Sequence, residues 1–172
     1  MRRLCGRVQR AVAPETKRRG AACIVRRFES GDANAVRDIF KQSPQAGALT
    51  KDFYERLPEW AGPLALVSER AGEVTGFFIG REAANEAEVL NLAVMPKFRR
   101  QGDGRALLSA ALEEIRSRGV QSVFLEVRES NLGAIAFYES FGFSKIGRRK
   151  IYYQDPEEAA INMEKKLTGP PG

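Results

Sequence analysis

The segment from Leu90 to Leu108, LNLAVMPKFRRQGDGRALL, constrains this chain more than any other. It reads as a strand ending at Val94, a loop holding Arg99-Arg100-Gln101-Gly102-Asp103-Gly104, and a helix that begins at once. A second strand, VQSVFLEV, follows that helix. A β-α-β unit over residues 87–127 predicts two parallel strands joined by a right-handed crossover. An all-helical fold and a purely antiparallel one are both excluded.

The loop also carries chemistry. Gly102 and Gly104 let the backbone turn tightly and approach a ligand. The first N–H groups of a helix point outward, where the dipole favours anions. Arg99, Arg100 and Arg105 add positive charge. Together these features predict a diphosphate cradle. The loop is not a Walker A, because no Gly-Lys-Ser/Thr follows. It is not the dinucleotide fingerprint either, because GxGxxG is absent.

The remaining elements follow from periodicity and turn residues. AACIVRRF, from Ala21, predicts a first strand. ESGDANAVRDIFKQSP predicts a helix with Asp32 as N-cap and Val36, Ile39 and Phe40 on one face; Pro44 and Gly47 break it. Thr50 to Leu57 predicts a second short helix with Phe53, Tyr54 and Leu57 on a face. PLALVSER, EVTGFFIGRE and EAEVLNLAVMP, with turns at Ala71-Gly72 and Asn85, predict an antiparallel meander. GRALLSAALEEIRSRG is a helix with an apolar stripe of Leu108, Ala111, Leu112 and Ile115, stopped by Gly119. NLGAIAFYESF is a helix ending at Gly142, and FSKIGRRKIYY and AAINMEKKL are two last strands. The expected fold is a single α/β domain with a mixed sheet, in the order β-α-α-β-β-β-α-β-α-β-β. Residues 21–167 form this domain, residues 1–20 a basic tail without order, and residues 168–172 a frayed C-terminus.

Composition narrows the chemistry. The chain of 172 residues has no histidine, which removes Ser-His-Asp and Cys-His schemes. Two cysteines cannot form an all-cysteine zinc site, and no metal is expected. Acid–base work must fall to Glu, Asp, Tyr, Lys, Cys or water. Net charge is +6, but it is uneven: residues 1–27 hold nine basic residues and one acidic, and the remainder hold 19 basic and 21 acidic. The basicity therefore belongs to the N-terminus, and the +8 there does not make the body a nucleic-acid binder. Cys5 and Cys23 read as free thiols in a reducing compartment. No apolar run is long enough to span a membrane, and residues 1–20 lack the apolar region of a secretory signal.

On the residues Arg99-Arg100-Gln101-Gly102-Asp103-Gly104 and Arg105, the chain resembles the GNAT family of N-acetyltransferases, whose R-x-x-G-x-G loop binds the pyrophosphate of acyl-CoA. FLEVRESNLGAIAFYESFGF and GRRKIYY resemble the subgroup that acetylates the N-terminal alanine of ribosomal protein S18. The resemblance covers residues 87–165. It implies that acetyl-CoA is the co-substrate. Leu92, Ala93 and Val94 would offer backbone hydrogen bonds to the pantetheine arm, and Arg99 to Arg105 would hold the pyrophosphate. Asn131 would contact the cofactor, and Tyr138 would lie near the thioester sulfur. Glu126 would be the general base and Tyr138 the acid that protonates the departing thiolate. Tyr152 and Tyr153 would line the acceptor entrance. The implied setting is the cytoplasm, with S18 as protein partner, no membrane, no direct nucleic acid and a monomer favoured.

The residues themselves are compatible with these roles. Glu126 interrupts the apolar pair Leu125 and Val127. Either it faces solvent on an alternating strand or it faces a cleft, where apolar surroundings tune a carboxyl group for proton transfer. Tyr138 lies seven residues after Asn131, two helical turns, so both can serve one side. Its alternative role is a core aromatic. Tyr152 and Tyr153, after Arg148-Arg149-Lys150, also suit an ordinary solvated strand with cross-strand packing. Trp60 suits an anchor rather than a site.

Two departures from the family pattern stand out. Asp103 lies between the glycines, and it is expected to face solvent near the helix N-terminus. SPQAGALTKDFYERLP, the expected acceptor-groove segment, has no Trp. Acceptors therefore remain open: a protein N-terminal amine, or a small-molecule amine or Lys side chain. A third reading, from another class, is a basic nucleic-acid or ribosome-binding module on a CoA-type fold.

Overall fold

Val74 to Ile79 are buried on both faces of one strand, so that strand must be central in a covered sheet. The computed structural model describes residues 21–43, 64–154 and 156–167. It contains β1 (Ile24–Arg27), α1 (Ala33–Lys41), β2 (Ala65–Arg70), β3 (Glu73–Ala83), β4 (Glu86–Val94), α2 (Asp103–Ser117), β5 (Ser122–Arg128), α3 (Leu132–Glu139), β6 (Ser144–Gln154) and β7 (Glu157–Lys166). The expected helix at Thr50–Leu57, and Trp60, lie outside the described residues.

Among the described residues, seven strands form one sheet in the order β1-β2-β3-β4-β5-β7-β6. β1 to β4 run antiparallel, with tight turns at Ala71-Gly72, both at positive φ, and at Ala84. β4 and β5 are parallel, as the β-α-β unit predicts. Phe77 and Phe78 point to opposite faces and seed two cores. Phe78 packs with Leu107, Leu108, Ala111 and Ile115 of α2 and with Val123, Leu125 and Met163. Phe77 packs with Val36 and Ile39 of α1 and with Val67, Ile79 and Ala93.

One irregularity positions the site. β4 pairs with β5 only from Glu86↔Ser122 to Val89↔Leu125. Beyond that point β4 stays on β3, and β5 stays on β7. Between Ile79↔Asn91 and Gly80↔Val89 the β3–β4 register slips, leaving Leu90 as an extra residue. Gly80 is required there, because a Cβ would sit 2.9 Å from the Glu88 carbonyl. The bulge bends β4 where its pairing with β5 ends, and the two strands part.

Asp32 stands at the N-cap of α1, as expected, but its side chain makes no cap hydrogen bond there. A short 3₁₀ turn, Ser30–Asp32, precedes α1, with Glu29 at its cap. Asp32 points back rather than forward: its carboxylate accepts from the Glu29 N–H at 2.8 Å and from Arg26 at 2.7 and 2.9 Å. The nearby guanidinium outbids the helix N–H groups for this carboxylate.

Candidate active site

A cleft of about 700 Å³ opens where β4 and β5 separate. Leu92, Ala93 and Val94 form one wall, and Leu125, Glu126 and Val127 the other. Beyond Val89, the edge of β4 that turns away from β3 has no strand partner in β5, so it can pair with an extended ligand as with an added strand.

The predicted anion loop closes one end, where Arg99, Arg100, Gly102, Gly104 and Arg105 line the cleft. Gly102 has φ +96°, a conformation that needs glycine. Arg100, at φ +62°, helps to turn the loop. Ala106 N–H donates to Gly102 O at 2.9 Å as the first helical bond of α2, so the amides before it lack an intrahelical acceptor. The sheet brings the loop's glycines to the ligand wall: Gly104 sits against Val94 and Leu92 of β4. This donor set, with Arg100 and Arg105, suits a diphosphate.

The loop residues do not all act alike. Arg99 donates through Nε to Val94 O at 3.0 Å and through Nη2 to Ser43 Oγ at 3.0 Å, tying the end of β4 to the chain after α1. The Gln101 side chain turns away and donates to Lys97 O at 2.9 Å. Asp103 corrects the sequence expectation, for it does not face solvent. It is 1% exposed and accepts from Arg70 Nη2 at 2.7 Å and Nε at 3.0 Å, and from Thr75 Oγ1 at 2.5 Å. A carboxylate with a buried guanidinium and a hydroxyl to bind is better satisfied inside than at the surface.

α3 supplies a third wall. Asn131 caps it, its Oδ1 accepting from the Ala134 N–H at 3.1 Å. Asn131 and Tyr138 both line the cleft, as their spacing requires. Tyr138 is buried, with its ring edge-on to Phe137 at 5.4 Å and Phe143 at 5.6 Å. Burial pushes its phenol well above the ordinary value, and Tyr153 adds to this.

Glu126 faces the cleft, not bulk solvent, with its side chain 19% exposed. Its surroundings are polar, unlike the apolar setting expected from the flanking residues. Arg149 Nη1 donates to its Oε1 at 2.7 Å. Tyr152 also bonds the carboxylate, and that bond is the main reason its phenol is pushed up to about 12. Tyr153 is buried and lines the cleft, and Arg128 lies over its ring at 4.0 Å. Tyr152, 37% exposed, packs edge-on against Tyr153 at 5.0 Å. Between Arg149↔Ala160 and Tyr153↔Glu158, β6 bulges outward, with Ile151 at φ +55°. The bulge interrupts the β6–β7 ladder just before Tyr153, which lines the cleft, whereas Tyr152 does not.

Arg149, Arg70, Thr75 and Phe137 were missed as site residues. The signal for Arg70 was indirect: a carboxylate between two loop glycines needs a cation, but nothing local says which one.

A mixed sheet split around a cleft, with a glycine loop at a helix start, defines an α/β domain whose cleft suits an extended phosphorylated ligand. The acetyltransferase (GNAT) family model matches residues 33–143. The chain belongs to that family. It is 46% identical over 94 residues to the [ribosomal protein bS18]-alanine N-acetyltransferase of Escherichia coli (strain K12), a match covering 54% of this chain and 64% of that protein. The chain thus spans less than two thirds of that curated relative's length in the match. The putative [ribosomal protein bS18]-alanine N-acetyltransferase of Bacillus subtilis (strain 168) is 34% identical over 140 residues, covering 81% and 92%. The crystal structure of the ribosomal-protein-S18-alanine N-acetyltransferase from Escherichia coli superposes with a TM-score of 0.73 at 32% identity, covering 88% of this chain and 97% of that one.

Proposed function

We propose that this chain is an acetyl-CoA-dependent N-acetyltransferase of a protein N-terminal amine, with the N-terminal alanine of ribosomal protein bS18 as acceptor. The single observation that carries the reading is the parting of β4 and β5 after Val89↔Leu125, with the Gly102 loop at one end of the gap and Glu126 on its wall. The names of the Escherichia coli and Bacillus subtilis relatives support the acceptor. The acceptor in turn implies the cytoplasm, where ribosomal proteins are made.

In this reading the free β4 edge at Leu92–Val94 holds the pantetheine arm, and the amides that open α2, with Arg100 and Arg105, hold the diphosphate. Bound acetyl-CoA supplies an activated acetyl thioester. Glu126 takes the proton that the acceptor ammonium must lose, exchanging Arg149 for the substrate cation. The freed amine nitrogen bonds to the acetyl carbon as the carbon–sulfur bond breaks. Tyr138, held protonated by burial, gives its proton to the thiolate; the second proton shed by the new amide nitrogen restores the phenol, and Glu126 releases its own proton to solvent. Tyr152 and Tyr153 border the acceptor's approach. The scheme needs no histidine.

The test is incubation with acetyl-CoA and a peptide bearing the bS18 N-terminus, read by mass spectrometry. Acetylation confined to the α-amine supports the reading. Acetylation only of lysine side chains or of added small amines would reject the N-terminal acceptor while keeping the transferase. No acetylation of any amine would reject the transferase.

A further inference from the structure

We propose that Arg70, carried on β2 and not on the loop, is a positioning residue for the diphosphate cradle and acts through Asp103. The proposal rests on the acetyl-CoA reading above. Asp103 is the first residue of α2. Its Oδ1 accepts from Arg70 Nη2 at 2.7 Å, and its Oδ2 from Thr75 Oγ1 at 2.5 Å. The same Arg70 Nη2 donates to the Gln101 carbonyl at 2.9 Å. One guanidinium therefore holds the residues on both sides of Gly102.

Gly102 holds a left-handed φ of +96° at the turn into α2. A glycine is also the residue freest to leave that conformation. The clamp on Gln101 and Asp103 removes this freedom from outside the loop. It presents the cradle's donors already oriented, which avoids the cost of ordering them on binding. Charge points the same way. A carboxylate beside a diphosphate would repel it, but Asp103 is turned into the protein, 1% exposed, against a guanidinium whose side chain is 8% exposed. Arg70 thus fixes the loop and cancels the one charge in it that opposes the ligand.

The test compares Asp103→Asn and the double variant Arg70→Met/Asp103→Leu with the full wild-type chain. The readouts are thermal unfolding, CoA affinity by calorimetry, and kcat/KM with acetyl-CoA against S-acetylpantetheine, which has no diphosphate. Asp103→Asn should lose about tenfold in CoA affinity and in kcat/KM for acetyl-CoA, yet stay within about twofold for S-acetylpantetheine. Acceptor KM should not move. Should Asp103→Asn fail to fold, the double variant, which buries no charge, carries the same expectation. Equal losses with both donors, or CoA binding as tight as wild type or tighter, would overturn the proposal. A wild-type protein that binds CoA alongside variants that bind it equally overturns this proposal alone. A wild-type protein that binds no CoA overturns the acetyl-CoA reading as well.

Discussion

Glu126 on β5 and Arg149 on β6 form an ion pair at 2.7 Å that reaches over the intervening strand β7. The two ends differ in exposure: the Glu126 side chain is 19% exposed and that of Arg149 57%. In the proposed reaction, the acceptor ammonium would take the seat that this guanidinium occupies. A half-exposed pair of this kind is held weakly, so exchange for a substrate cation is inexpensive. Arg149 also lies 4.7 Å over the Tyr152 ring, which gives the displaced guanidinium a place to rest.

Glu126→Gln keeps the shape of the side chain and removes its ability to take a proton. It should lower kcat by about 10²-fold or more. CoA affinity should be unchanged. Stopped-flow rates and calorimetry check the two halves, and a wild-type kcat would remove Glu126 as base.

Tyr138→Phe preserves the ring contacts with Phe137 and Phe143, so the fold should hold. Turnover should fall by about 10-fold to 10²-fold if the phenol protonates the thiolate. Comparing thiophenol and ordinary alkyl thioester donors checks the assignment. A better leaving group should need the acid less and narrow the gap between variant and wild type.

Tyr152 should titrate near 12 in the folded protein, against an ordinary value of about 10. A raised folded value contributes stability below the unfolded value and loses it as pH rises through the folded one. The contribution should therefore be complete up to about pH 10 and vanish toward about pH 12. Glu126→Gln removes the charged acceptor of the phenol, so Tyr152 should then titrate lower. Ultraviolet absorbance of tyrosinate, with Tyr152→Phe as the blank, measures this; an unshifted curve would break the link.

Asn131→Ala removes the cap on α3 and should cost about 1 kcal/mol, or roughly 2–4 °C in Tm. Asn131→Asp keeps an acceptor for the Ala134 N–H and should stay near wild type. Differential scanning calorimetry separates the two, and equal Tm values would show that the cap bond contributes nothing.

The order of elements was readable because its signals are local. Period-two segments with turn residues between them marked the β2–β4 meander, and a strand, loop and helix in sequence marked the parallel crossover. Asn131 and Tyr138 could be placed on one side because a helix repeats its faces within two turns. Asp103 was misplaced for the converse reason. A helix dipole acts only at its own helix end, whereas the partner of Asp103 lies 33 residues earlier on β2. Glu126 was judged from Leu125 and Val127, but its neighbour is Arg149, 23 residues on and two strands away in the sheet. Asp32 repeats the lesson at shorter range: it stands at the N-cap of α1 as expected, but Arg26 draws its carboxylate away from the helix amides.

By itself, the sequence determined the mixed α/β fold, the glycine loop at a helix start, and a proton chemistry without histidine. These depend on backbone preference, periodicity and residue type, which act within a few positions. Only the tertiary structure decided where β4 and β5 part, that Asp103 turns inward to Arg70, and that Glu126 meets Arg149. Those outcomes depend on which strands become neighbours and where a bulge shifts the register, and charged side chains then choose partners by distance in space.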